Sequence, residues 1–160
     1  GLTEFVHDII VRQTNNLKIY AYIFNGYWRP LSNIQLYYRA NMELLNAKVR
    51  QELLMSRRKI YTKVKDEPPA KYNAEAVVRN SIVADGCIIE GTVENSVLFR
   101  GVRVMKGAVI KDSLIMQGTV VGQNVNLRYC ILDKGVTISD GKTLIGDSEW
   151  PLIVGKNVKV

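Results

Sequence analysis

With 160 residues, of which 47% are hydrophobic and 23% are charged, the chain has the composition of an ordinary soluble globular protein. No apolar run approaches the roughly 20 residues needed to cross a membrane and no signal-peptide pattern opens the chain, so we expect a cytoplasmic protein. The net charge of +7 is scattered without a nucleic-acid-binding motif or interleaved aromatic residues, which predicts solvated charges and no nucleic-acid partner.

The first 24 residues carry two periodic patterns. Residues 3–13 place Phe5, Val6, Ile9 and Ile10 at helical spacing behind Thr3, a capping residue, and so predict a short amphipathic helix. Residues 17–24 alternate in the period of two that is typical of a strand. A lone helix and strand do not make a domain, and the chain starts at Gly1 without a methionine. We therefore expect residues 1–55 to include the C-terminal remnant of a larger domain.

A long helix is predicted after a turn-rich loop at residues 25–31. Ser32 and Gln35 have the spacing of a capping box, and apolar residues continue at helical intervals to about Met55. Such a helix would be roughly 34 Å long. Its partly apolar face must pack either on the missing domain or on the side of the C-terminal region. Residues 56–72, with Pro68 and Pro69, lose the helical period and predict an extended linker.

The region after the linker contains a repeat that recurs four times at steps of 15 or 17 residues. In each copy a glycine follows a Ser or Cys by five residues, and a finer beat of about six runs through the aliphatic residues. The copies open at Asn80, Asn95, Asp112 and Tyr129, and their glycines are Gly86, Gly101, Gly118 and Gly135.

This regular phase predicts stacked coils with three short sides, which pair in parallel and bury a common interior. Residues 73–160 are expected to form this mainly β prism, with residues 142–160 as a looser final coil interrupted at Trp150 and Pro151. One inward column is predicted to contain Ile82, Val97, Leu114 and Ile131.

The two cysteines occupy repeat positions. Cys87 stands where other copies have Val or Thr, and Cys130 stands where they have Ser. Both are therefore interpreted as small inward or corner residues. Neither CxxC spacing nor an accompanying histidine favours a disulfide or a metal pair.

Three segments and their order carry a family resemblance. They are residues 26–29 (Gly-Tyr-Trp-Arg), residues 37–45, which include Ala40, Asn41 and Met42, and residues 68–72, all followed by hexapeptide coils. Nearly the whole chain resembles ADP-glucose pyrophosphorylase (glucose-1-phosphate adenylyltransferase). The resemblance implies a left-handed parallel β-helix behind a sugar-nucleotidyltransferase domain. It also implies a tetramer, regulated by phosphorylated metabolites, that makes ADP-glucose from glucose 1-phosphate and ATP for glycogen.

One position departs from that family. Its catalytic members resemble this chain up to Arg29 but continue with an aspartate that helps to hold magnesium, where this sequence has Pro30. A proline side chain cannot bind a metal. The resemblance therefore implies the non-catalytic, regulatory D-type subunit, which forms a homo- or hetero-oligomer with a catalytic subunit. No catalytic, cofactor-binding or metal residue is expected in this fragment, and magnesium is expected only in the catalytic partner. The alternative is an active enzyme whose ligand lies elsewhere.

Other functions of hexapeptide prisms are less favoured. Acyltransferases and the trimeric zinc carbonic anhydrase need histidine as a base or a ligand, and the one histidine, His7, lies outside the repeats on the first predicted helix. It is interpreted as a helix-surface or packing residue. A pure interaction module, like the related subunits of eukaryotic translation-factor exchange complexes, is disfavoured by the Pro-Pro linker and the 26–29 segment.

Two sets of residues are candidates for binding. Arg57, Arg58 and Lys59 form the densest basic cluster, and we expect them to contact a phosphorylated small-molecule effector at the domain junction. The alternative is a solvated helix end whose charges meet the helix dipole favourably. A subunit interface is predicted on an exposed side of the prism, at Phe99, Met105, Leu127 and Tyr129.

Overall fold

The computed structural model describes residues 4–55, 60–62 and 64–160. Residues 4–55, here called the arm, contain a π-helical segment at Val6–Val11, helix α1 at Ile34–Glu43 and helix α2 at Ala47–Leu54. No helix within the described ranges is both long and apolar enough to cross a membrane.

The rest of the described chain forms strands in three sets. The first set is β1 (Lys71–Tyr72), β4 (Ile88–Ile89), β7 (Arg103–Val104), β10 (Val120–Val121) and β13 (Thr137–Ile138). The second set is β2 (Val77–Arg79), β5 (Thr92–Glu94), β8 (Val109–Lys111), β11 (Asn126–Arg128) and β14 (Thr143–Ile145). The third set is β3 (Ile82–Val83), β6 (Val97–Leu98), β9 (Leu114–Ile115), β12 (Cys130–Leu132) and β15 (Leu152–Val154).

Each set forms one five-stranded parallel sheet, so every coil gives one strand to each of three sides. This is the hexapeptide-repeat left-handed β-helix that the sequence predicts. The looser final coil is present as β13, β14 and β15, with a turn at residues 147–150 before β15. Strand pairing begins two residues before the predicted boundary at residue 73, since Lys71 and Tyr72 pair with Ile88 and Ile89.

The corners of the prism have the predicted backbone. Asn80, Asn95, Asp112 and Tyr129 take φ between 42° and 51°, and the repeat glycine Gly101 takes φ of 67°. Glycine, Asn and Asp tolerate this left-handed conformation, whereas a bulky side chain such as that of Tyr129 is unusual there.

The predicted column of Ile82, Val97, Leu114 and Ile131 is in register but faces outward, so its predicted inward direction was wrong. The neighbouring residues Val83, Leu98, Ile115 and Leu132 face the interior. Successive side chains on a strand point to opposite faces, and on each of these strands the outward residue and its inward neighbour are both aliphatic. The outward column is nevertheless largely buried, because α1 lies on it.

A hydroxyl ladder runs inside one corner of the prism. The Ser81 Oγ accepts from the backbone N–H of Ser96, the Ser96 Oγ from that of Ser113, and the Ser113 Oγ from that of Cys130, each at 3.1 Å. Cys130 ends the ladder, and Cys87 lies in the interior cluster; both are buried free thiols, as predicted. Burial raises the pKa of the Cys130 thiol to about 11.

The predicted long helix is two helices, so its continuity was wrong. Residues 44–46 form a turn, and the Asn46 side chain accepts from the Lys48 N–H at 2.9 Å to cap α2. Asparagine competes for backbone donors in this way and favours a cap over a helix interior. The cap of α1 is Asn33, which accepts from the Leu36 N–H at 2.8 Å, rather than the predicted Ser32.

The start of the arm agrees with the predictions only in part. Residues 5–13 are helical, with the π-helical segment at their centre, and His7 lies on the helix surface as expected. The predicted cap, Thr3, lies outside the described residues. The predicted strand at residues 17–24 does not form, because no described strand lies beside it to share backbone hydrogen bonds.

Candidate functional site

The 26–29 segment is anchored to helices α1 and α2 of the arm. The Tyr27 N–H donates to the Glu52 carboxylate on α2, and the Tyr27 hydroxyl donates to Glu43 Oε2 at 2.7 Å. The Arg29 Nε–H contacts both oxygens of Glu43, at 2.9 and 3.0 Å. Glu43, at the end of α1, therefore holds the aromatic and the basic residue of this segment together.

The charges at this anchor reinforce one another. The hydrogen bond from Arg29 holds the pKa of Glu43 below its ordinary value, with a smaller contribution from the Tyr27 hydrogen bond. Burial, and then the hydrogen bond to Glu43, raises the pKa of Tyr27. The guanidinium of Arg29 also lies 6.0 Å from the centre of the Tyr27 ring. This arrangement favours an ionised Glu43 and a protonated Tyr27.

Helix α1 connects this anchor to the prism. Tyr38 is only 5% exposed, and its side chain packs with the outward column of Val97, Leu114 and Ile131. Its hydroxyl donates to the backbone carbonyl of Asp112 at 2.5 Å. Burial raises the pKa of Tyr38 strongly, so the hydroxyl remains a donor. The helix thus packs on the side of the prism, one of the two surfaces expected from its sequence.

A second contact ties α1 to the final coil. The Arg39 guanidinium forms an ion pair with Glu149 in the turn at residues 147–150. Close to it, Arg128 lies 5.0 Å from the centre of the Tyr129 ring and 3.7 Å from the Asp112 carboxylate. Between α1 and the prism is an open cleft of about 390 Å³, lined by Tyr38, Arg39, Met42, Glu43, Asp112, Tyr129 and Ser148.

Of the predicted site residues, the structure describes only the interface candidates. Arg57, Arg58 and Lys59 lie outside the described residues. Phe99 is 37% exposed on the outer face of the prism, and Met105 is half-buried.

Two of the predicted interface residues differ from expectation. Leu127 was wrongly placed on an exposed side, because it points into the interior between two outward polar residues, Asn126 and Arg128. Tyr129 is half-buried against the cluster beneath α1.

The residues that build the junction were missed by the sequence interpretation. Tyr38 and Arg39 were noted only within the family-like segment, and Glu43 carried no role. Glu149 lies 110 residues from its partner Arg39, and no spacing pattern links them. One sequence signal was available, since Asp112 occupies the same corner position of the repeat as Asn80 and Asn95. The backbone carbonyl at this corner accepts the hydrogen bond from the Tyr38 hydroxyl.

The residue that follows the 26–29 segment supplies no magnesium ligand at the position where the family resemblance places one. Pro30 has no side-chain oxygen, and the nearby Glu43 carboxylate is occupied by Tyr27 and Arg29. Across the described ranges there is no group of three or more His, Cys, Asp or Glu that could hold a metal ion. Magnesium prefers carboxylate and phosphate oxygens, which position 30 cannot supply.

Comparison with known proteins identifies relatives of both regions. A family model described as "GlmU-like, C-terminal hexapeptide" matches residues 68–150. The chain is 39% identical over 153 residues to "Glycogen biosynthesis protein GlgD" of Bacillus subtilis (strain 168), which covers 96% of this chain and 45% of that protein.

Two proteins named "Glucose-1-phosphate adenylyltransferase" are also similar. The one from Acetivibrio thermocellus is 42% identical, covering 76% of this chain and 28% of its own length, and the one from Bacillus cytotoxicus is 37% identical, covering 79% and 34%. The chain spans less than half the length of these relatives. The resemblance predicted from residues 26–29, 37–45 and 68–72 is thereby confirmed.

Proposed function

We propose that this chain, which belongs to the GlmU-like C-terminal hexapeptide family, is the assembly and regulatory region of a non-catalytic ADP-glucose pyrophosphorylase subunit. In this role it supports the synthesis of ADP-glucose from glucose 1-phosphate and ATP for glycogen, in the cytoplasm. The catalytic partner, which carries the magnesium, performs the reaction.

The observation that carries the proposal is Pro30. This residue directly follows a segment that Glu43 and Glu52 hold firmly in place, so its position relative to α1 is well defined. A metal-binding aspartate at this position would make the chain resemble a catalytic subunit, and proline removes the ligand oxygens.

The extent of similarity supports the link to glycogen synthesis. The match to the glycogen biosynthesis protein covers 96% of the chain, whereas the matches to the two adenylyltransferases cover 76% and 79%. An active enzyme with a relocated metal ligand is the second candidate, favoured by the slightly higher identity to the Acetivibrio thermocellus protein.

Exposed apolar residues of the arm support a further packing surface. Tyr20, Tyr22 and Ile23 lie outside any helix or strand with most of their side-chain surface exposed, and Trp28 and Leu31 are also exposed beside α1. Apolar surface of this extent marks an interaction site. We assign it to packing against a nucleotidyltransferase domain.

The test is co-expression of the full-length protein with a candidate catalytic subunit, followed by purification on a tag carried by one chain. The proposal expects a stable complex whose rate of ADP-glucose formation, or whose response to phosphorylated metabolites, differs from that of the catalytic subunit alone. A catalytic subunit that neither binds the protein nor changes its rate would contradict the proposal.

The effector and interface residues remain part of this proposal. Arg57, Arg58 and Lys59 are proposed to contact a phosphorylated small molecule, and Phe99 and Met105 a neighbouring subunit. If the assembled enzyme with Arg57→Ala and Arg58→Ala keeps its full effector response, the basic cluster has no such role.

A further inference from the structure

Two ion pairs share one face of α1. Glu43 holds Arg29 of the 26–29 segment, and Arg39 holds Glu149 of the turn at residues 147–150. Each pair is partly exposed, and an isolated surface pair contributes only about 0–1 kcal/mol. As separate ion pairs, they would not couple the 26–29 segment to the turn at residues 147–150.

The two pairs are joined through α1 itself. Arg39 and Glu43 are four residues apart, so their side chains are neighbours on the helix surface. Arg39 is among the charges that hold the pKa of Glu43 low, after the larger effect of Arg29. The charges therefore alternate in sign from the segment, across the helix, to the prism, and the link between Arg39 and Glu43 is an electrostatic attraction rather than an ion pair.

Further hydrogen bonds connect each end of this path to its segment. At one end, the hydrogen bond from Tyr27 fixes the same carboxylate that Arg29 contacts. At the other end, the Glu149 N–H donates to the Asp147 side chain at 2.9 Å, and the turn leads directly into β15. The buried Tyr38 keeps α1 on the prism between them.

We propose that one alternating charge chain couples the 26–29 segment to the turn at residues 147–150. Its members are Arg29, Glu43, Arg39 and Glu149. A change in the segment that weakens the hold on Glu43 frees Glu43 to compete with Glu149 for Arg39, and loss of Glu149 strengthens the attraction between Arg39 and Glu43. The coupling is reciprocal, as linkage requires.

A tryptophan lies at each end and can report on the coupling. Trp28 and Trp150 are 68% and 72% exposed, so fluorine on either indole senses its own segment without disturbing a core. The full-length protein is labelled with 5-fluorotryptophan, and its 19F resonances are assigned with Trp28→Phe and Trp150→Phe. The charge chain is then broken at its far end with Glu149→Gln, at its centre with Arg39→Gln and at its near end with Glu43→Gln.

We expect Glu149→Gln to move the Trp28 resonance by more than its linewidth, and Glu43→Gln to move that of Trp150 likewise. Arg39→Gln should move both. The control is Lys106→Gln, which breaks a separate and more exposed ion pair with Glu75, 3.1 Å long, and should move neither. If each end variant moves only its own tryptophan, the two ion pairs are independent and the coupling is refuted.

The functional consequence rests on the proposed regulatory role. In the complex with a catalytic subunit, Glu149→Gln should reduce the change in rate that the protein causes by roughly two- to fivefold, the range expected for exposed charges, while the yield of complex stays the same. An unchanged rate effect would overturn this consequence. If the wild-type protein forms no complex, the proposed function fails, and the fluorine measurement still decides the coupling.

Discussion

In the prism, Ile115 and Leu132 are fully buried, whereas in the arm Tyr20 and Ile23 remain 86% and 80% exposed. The prism obtains its burial from its own repeats, because each coil covers the next one. The arm buries little of its own surface, and Tyr38 is its one buried residue among those described. The prism therefore stabilises itself, and the arm depends on surfaces to which it attaches.

Polar groups show the same contrast. Within the described ranges, every buried side-chain nitrogen or oxygen has a hydrogen-bond partner, and those of Ser96 and Ser113 lie in the ladder of the prism. The polar contacts of the arm are mostly exposed or partly exposed, as in the ion pair of Arg29 with Glu43. Loss of a prism contact should thus cost more than loss of an arm contact.

The largest effect is expected from a cavity in the prism. Leu132→Ala removes a fully buried side chain from the interior cluster and should lower the free energy of unfolding by about 2–5 kcal/mol. Leu17→Ala, at a leucine of the arm that is mostly exposed, is the matched control and should change it by less than about 0.5 kcal/mol. Denaturant unfolding of both variants measures the difference. Equal losses would show that the arm contributes a core of its own.

A break in the hydroxyl ladder should have the next largest effect. Ser96→Ala leaves the buried N–H of Ser113 without its acceptor, which costs about 1–3 kcal/mol. Ser139→Ala, at a half-buried serine outside the ladder, is the control. The same denaturant measurement applies, and a Ser96→Ala variant as stable as the control would mean that the ladder adds nothing.

The contact between the two regions should be weaker still. Tyr38→Phe keeps the packing on Val97 and Leu114 but removes the hydrogen bond to the Asp112 carbonyl, at a cost of about 0.5–1.5 kcal/mol. We expect proteolysis to cleave the arm faster while the prism remains intact. Tyr22→Phe changes a highly exposed tyrosine and should leave the cleavage rate unchanged. Faster cleavage inside the prism would contradict a purely local attachment.

The smallest effect is expected from acidification of the Glu43 anchor. The pKa of Glu43 is held below its ordinary value of 4.5, so its stabilising contribution is present above that value and is lost as the pH falls through the lower folded-state pKa. The fluorescence of Trp28 should therefore change below about pH 4.5. In Glu43→Gln this transition should be absent; if it persists, another group controls the 26–29 segment.

Some features of this fold follow from sequence and others do not, for physical reasons. The glycines and Asn or Asp residues of the repeat need left-handed backbone, so their phase locates the corners. The direction of the column could not be predicted because Ile82 and Val83, like Val97 and Leu98, are both aliphatic. Only the position of α1 shows why the inward and the outward residues are both buried. For Leu127, the polar residues on either side, Asn126 and Arg128, did indicate that the leucine faces inward.

The junction was less accessible to sequence reasoning. The ion pair of Arg39 with Glu149 joins a helix to a turn of the fifth coil, and its formation depends on where α1 lies along the prism. That position depends in turn on Tyr38 and on the outward column, and the sequence interpretation had assigned the column to the inward face. The break at residues 44–46 could have been inferred from Asn46, whose side chain prefers a cap to a helix interior.

The most direct test of the regulatory assignment is turnover by the full-length protein alone. The purified protein is assayed for ADP-glucose formation with saturating glucose 1-phosphate, ATP and magnesium, beside a catalytic adenylyltransferase under the same conditions. With Pro30 in place of the metal-binding aspartate, we expect no turnover above background. A rate that matches the catalytic enzyme would contradict the account.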